Sequence, residues 1–132
     1  MLWRHFGESA LRLPPLVLAY VGDAVFELYV RSRLVASGDK VKQLHREAIR
    51  LVSANAMAEY YRTIETNLTD TEAEVLHRGR NVKSHRVKSA GVKQYHLSTG
   101  FEALVGYLFL SGQEERLEEI LGILFGEEQW AR

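Results

Sequence analysis

From Leu16 to Val30 only two side chains carry charge, Asp23 and Glu27, and the rest are apolar, aromatic or glycine. Pro14 and Pro15 stand directly before this run. Prolines rule out helix just ahead of them and suit the first turn of one. The spacing predicts a helix from about residue 16 to residue 37, stopped by Ser37-Gly38-Asp39. Its apolar residues cover nearly every face. Such a helix belongs at the centre of a fold or at a subunit interface. A carboxylate set into it, as Asp23 is, loses hydration and needs a cation, a donor or a proton in return.

The rest of the chain extends the helical pattern, and no stretch alternates like a strand. Leu44, Ala48, Leu51 and Val52, then Ala56 and Tyr60, recur at helical spacing and predict one helix over 41–63. Thr69-Asp70-Thr71-Glu72 has the form of a capping box and starts a third helix, over about 70–77, ending near Gly79. Residues 81–95 lack a period and read as a long loop of the kind that is often functional. A strongly apolar helix is predicted over 99–110, and a last amphipathic one over 114–125, with Leu117, Ile120, Leu121 and Leu124 inward. The expectation is an all-α bundle, one domain over residues 1–132 with its core at about 16–124.

Composition removes several function classes. The chain has no cysteine, which excludes a disulfide scaffold and a thiolate zinc site. No segment reaches about 18 consecutive apolar residues, and the N-terminus lacks a signal-peptide run. The expected location is cytoplasmic, with no membrane partner. Net charge is zero, from 17 basic and 17 acidic residues, but it is unevenly spread. Residues 77–96 hold six Lys or Arg and no acid, while residues 113–128 hold six Glu and one Arg. A local basic field of this kind steers polyanions even when net charge is zero.

Chemistry-bearing candidates are few. Asp23 is a metal ligand or a structural ion-pair partner, and from the residue alone both are open. Glu27, one turn on, is a second ligand or a partner for Arg31, the partner role being favoured. Glu102 repeats the situation of Asp23 in a second apolar helix, yet Thr99-Gly100-Phe101-Glu102 also has the form of a capping box. The two acids could converge on one hard metal ion. Arg78, Arg80, Asn81, Lys83, Arg86, Lys88 and Lys93 form a candidate phosphate-binding set, with His77, His85 and His96 as further donors and Tyr95 as a platform for a ribose or base. The alternative is a solvated loop. The histidines make no convincing zinc set, and His45 is set aside as structural or exposed.

Tyr20-Val21-Gly22-Asp23-Ala24-Val25 resembles the signature of the ribonuclease III family, and Phe101-Glu102-Ala103-Leu104-Val105-Gly106 resembles that family's second acidic motif. Leu51-Val52-Ser53 and the apolar run after it look like the helix between them. Arg78-Gly79-Arg80-Asn81-Val82-Lys83-Ser84, followed by Ser98-Thr99-Gly100, is similar to the short, mini-ribonuclease III branch, which has a catalytic domain and no double-stranded-RNA-binding domain. The likeness covers roughly residues 16–124. It implies a homodimeric, Mg²⁺-dependent endonuclease of double-stranded RNA that leaves 5′-phosphate and 3′-hydroxyl ends. Its implied role is maturation of large-subunit (23S) ribosomal RNA precursor. Asp23 and Glu102 fall where the family keeps its principal catalytic, metal-binding carboxylates.

The sequence also departs from the full-length family pattern. Acids expected four and seven residues before Asp23 are replaced by Ala19 and Leu16, and an Asp expected three residues before Glu102 is replaced by Thr99. Metal binding then rests on fewer carboxylates, which Mg²⁺ tolerates because it often takes one or two and keeps several waters. Two other readings stay open at this point. One is an RNA-binding member that has lost catalysis; the other is a structural helical dimer whose acids are caps.

Overall fold

The computed structural model describes residues 5–82, 91–126 and 130. Among them there are six α-helices, linked in part by short 3-10 turns, and no strand. The α-helices are α1 (Pro15–Leu34), α2 (Val41–Leu51), α3 (Ala54–Ile64), α4 (Asp70–Arg80), α5 (Val92–Leu110) and α6 (Glu114–Leu124). The all-α expectation holds.

The fold is organised around α5. From Leu97 to Leu110 every position is buried except Glu102 and Phe109. Helices α1, α3 and α4 pack against it. Two of these crossings bring backbone against backbone. A Cβ on Gly22 of α1 would lie 1.8 Å from the carbonyl oxygen of Glu102, and a Cβ on Gly106 would lie 1.9 Å from that of Leu18. On another side of α5, a Cβ on Gly79 of α4 would come within 2.8 Å of the Gly100 Cα. No side chain fits at these points. Glu102 therefore sits on a helix clamped on one side by α1 and on the other by α4. An aromatic cluster closes one end of the core: Phe101 meets Phe26 edge-on with centroids 5.1 Å apart, and Phe125 lies 5.2 Å from both Tyr60 and Trp130.

Several predicted boundaries move. The helix expected over 41–63 is two, broken at Val52 and Ser53. Ser53 caps α3, its Oγ accepting from the Ala56 amide at 3.1 Å, and the Tyr60 hydroxyl donates to the Leu51 carbonyl at 2.8 Å. The apolar spacing continues across the break, so periodicity does not reveal it. The third helix runs on through Gly79 to Arg80, because Gly79 is a contact surface rather than a stop. A 3-10 helix at Gly7–Arg12 precedes the prolines, and Leu13 and Pro14, both extended at ψ 144°, show the restriction that a following proline imposes.

The largest correction concerns the start of α5. It begins at Val92, not near residue 99, so 92–95 of the expected loop is helix. Thr99 is buried two turns inside, and its Oγ1 donates to the Tyr95 carbonyl at 3.0 Å. Thr99 is not an N-cap, and Glu102 is not part of a capping box. The Thr69–Glu72 box, by contrast, forms as predicted. Its Glu72 carboxylate also receives Arg116 of α6, through Nε and Nη2 at 2.9 Å each.

Candidate active site

The crossing of α1 and α5 decides where the two motif acids go. Gly22 rests on the Glu102 carbonyl, so the next side chain, Asp23, emerges beside the Glu102 side chain. The two carboxyls come within hydrogen-bonding reach. Their surroundings differ. Asp23 is exposed, which corrects the expectation that it loses its hydration. Glu102 is half-buried instead, and its carboxyl is pushed up to about 8, first by burial, then by the hydrogen bond to Asp23 and by the Asp23 charge.

Near neutral pH the pair therefore tends to keep a proton. Two acids held together at the cost of ionisation form a site that a cation relieves. Among the described residues no group of three or more His, Asp or Glu gathers anywhere. The donor set is two carboxylates with open solvent on the Asp23 side. That fits a hard divalent ion such as Mg²⁺, which holds its remaining positions with water or phosphate oxygen.

The substituted positions are consistent with this small set. Ala19 lies buried in the α1–α5 crossing, Thr99 spends its hydroxyl within α5, and Leu16 is half exposed. Glu27 accepts from Arg31 Nη2 at 2.8 Å, the partner role favoured for it.

The candidate RNA-binding residues divide three ways. Lys83, Arg86 and Lys88, with His85, lie outside the described residues. Arg78 is partly committed inward, donating through Nη1 to the Leu11 carbonyl at 3.3 Å. Arg80 donates from Nε to Asn81 Oδ1 at 3.1 Å, beside the exposed Asn81, and Lys93 is exposed in the first turn of α5. His77 is tied to Glu65, Nε2 to Oε2 3.0 Å, and so is not simply a free donor.

From sequence alone the glycines have no assigned part in positioning the acids: Gly22 appears only as part of a motif, and Gly79, Gly100 and Gly106 carry no such role. A signal was present, since glycine inside a strongly apolar helix pattern usually has a packing reason.

An apolar surface adjoins the site. Tyr20, Val21, Ala24, Val25 and Leu28, with Asp23 and Phe109, line an open cavity of about 570 Å³. Tyr20 is 81% exposed and Leu28 57%. The apolar surround of α1 thus faces the core on one side and solvent on the other.

Several known proteins resemble this chain. The profile of the Ribonuclease III domain matches residues 16–113. Mini-ribonuclease 3 of Symbiobacterium thermophilum is 53% identical over 115 residues, covering 86% of this chain and 88% of that protein. Mini-ribonuclease 3 of Clostridium tetani is 40% identical over 127 residues, covering 93% and 84%. A crystal structure of a Fusobacterium nucleatum protein superposes with a TM-score of 0.78 at 28% identity, covering 86% of this chain and 93% of that one.

Proposed function

Because the chain belongs to the ribonuclease III family and is thereby an endoribonuclease, we propose that it hydrolyses double-stranded RNA at a Mg²⁺ site held by Asp23 and Glu102. The observation that carries this reading is the pairing of those two carboxyls by the glycine crossing of α1 and α5. The ion, when bound, supplies a water of lowered pKa and offsets charge on the departing 3′-oxygen. Glu102, fixed by a helix buried on nearly all sides, holds a ligand position with little freedom to move. Asp23, exposed, faces the substrate side and completes the pair as Glu102 gives up its proton. The products are 5′-phosphate and 3′-hydroxyl ends.

Arg78, Arg80, Asn81 and Lys93, with Lys83, Arg86 and Lys88, grip phosphates and 2′-hydroxyls of the duplex, so recognition follows A-form shape more than sequence. The proposed natural substrate is a duplex in the precursor of large-subunit ribosomal RNA, as the likeness to the short branch implies. The working form is a homodimer through the apolar face of α1 around Val21 and Val25, supported by the exposure of Tyr20 and Leu28 there. A second copy supplies a second carboxylate pair for the opposite strand.

The test is cleavage of a long RNA duplex and of its separated strands, with Mg²⁺ and with EDTA. Cutting of the duplex alone, and only with Mg²⁺, is expected. Duplex RNA that is bound but never cut under any divalent ion contradicts the reading.

A further inference from the structure

Arg78 donates inward, and Arg80 is engaged with Asn81. The described root of the basic segment therefore offers fewer free cations than its sequence suggests. A second basic surface lies at the other end of α1. Residues 31–50 hold six Lys or Arg against two acids, Asp39 and Glu47. Glu47 is tied to Arg50. On α2, Lys42, His45 and Arg46 stand at i, i+3 and i+4, on one face, and all three are exposed. No ion pair engages Lys42 or Arg46 among the described residues.

The α1 helix leads from the carboxylate pair towards this corner. Glu27 lies one turn beyond Asp23 on the same face of α1, and it holds Arg31 one turn further on. Arg31 in turn shares the wall of a groove with His45. Eight helical positions separate Asp23 from Arg31, a rise of about 12 Å. A nucleic-acid duplex carries a charge roughly every 1.7 Å of its axis, so 12 Å spans several phosphates.

We propose that the α1–α2 corner, through Lys42, Arg46 and His45, is a second contact surface for the phosphates of the duplex whose scissile bond lies at Asp23. The inference rests on the reading of this chain as a nuclease of double-stranded RNA and extends it to residues outside the basic segment. The corner holds the flank of the duplex while the carboxylates act on one phosphate. It carries no base-reading geometry, so its contribution is uniform across sequences and sensitive to salt.

The experiment compares wild-type protein with Lys42→Glu/Arg46→Glu and with the milder Lys42→Gln/Arg46→Gln. Affinity for a 30-base-pair RNA duplex (longer than the roughly 16 base pairs that a small double-stranded-RNA-binding module spans) is measured by fluorescence anisotropy in EDTA over a salt series. Steady-state cleavage is measured with Mg²⁺. The charge reversal is expected to weaken binding and raise KM about tenfold, to leave kcat within about twofold, and to lower the salt slope by about 2. The Gln pair falls between. Duplex RNA is also expected to protect Lys42 from acylation by an N-hydroxysuccinimide ester. Affinity and salt slope unchanged in both variants, or Lys42 labelled equally with and without RNA, overturns the proposal. Wild-type protein that fails to bind duplex RNA at all overturns the underlying nuclease reading with it.

Discussion

At the scale of the residue, the account turns on Glu102 rather than Asp23 as the electrostatically unusual group. Its folded carboxyl, pushed up to about 8, lies well above the ordinary glutamate range near 4.3. The folded state therefore holds a proton that the unfolded chain has already lost between those pH values. Stability contributed by neutral Glu102 is complete below about pH 4, and it is lost as pH rises through about 8. Metal-free protein is expected to lose roughly 2–4 kcal/mol over that window by chemical denaturation. Glu102→Gln should flatten the slope and abolish cleavage together, and Mg²⁺ should restore stability to the wild type but not to the variant. A flat profile in the wild type contradicts the geometry of the pair. Both acids were legible in the sequence, because each interrupts an apolar helix. Their division of labour was not. Which of two such acids is buried depends on the rotation of α1 against α5, and that is set by Gly22 and Gly106 rather than by the hydrophobicity of either helix.

Among the elements, α5 is a core helix that carries the Glu102 carboxyl, held by two close crossings. Adding a methyl at Gly22 or Gly106 drives a Cβ to within 2 Å of a rigid carbonyl oxygen. Either Gly→Ala change is expected to cost about 3 kcal/mol or more and to separate the two acids. Thermal unfolding and cleavage together check this; a variant of normal stability and full activity contradicts it. The bidentate pair of Arg116 and buried Glu72 is a second joint, between α4 and α6, and Arg116 holds the Glu72 carboxyl below the usual carboxylate range. Its stabilisation is present above about pH 4 and is lost as pH falls through the lowered value. Glu72→Gln should cost about 1–3 kcal/mol near neutral pH and less in acid, as urea titrations at the two pH values would show. The Thr69–Glu72 box could be read locally, because both partners lie within one turn. Arg116 lies 44 residues away and could not be. The start of α5 is hidden in the sequence for a related reason. Thr99 has the look of a cap residue, but it, like Ser98, returns its hydroxyl to the Tyr95 carbonyl inside the helix.

Over the whole molecule, the exposed apolar face of α1 runs beside the carboxylate pair, and the proposed dimer buries it. Leu28→Glu changes a residue that is exposed in the single chain, so folding should survive. Sedimentation velocity is expected to show a monomer, and cleavage at dilute concentration should fall at least tenfold. A variant that still sediments as a dimer would place the interface elsewhere. The apolar surround of α1 announced this face in the sequence, but periodicity alone could not separate a central helix from an interfacial one. Here α1 has a buried and an exposed apolar side, with Phe26 and Val30 inward and Tyr20 and Leu28 outward. In the proposed function, Asp23 and Glu102 together hold the ion on which cleavage depends. This is tested by cleavage of a long end-labelled RNA duplex by wild type and by Asp23→Asn, each matched for fold by circular dichroism and for oligomeric state by sedimentation. Mg²⁺-dependent cutting by the wild type is expected, with none in EDTA and none by Asp23→Asn, which still binds the duplex. Cutting by Asp23→Asn at the wild-type rate, or wild-type cutting that persists in EDTA, would show that the pair does not hold the ion.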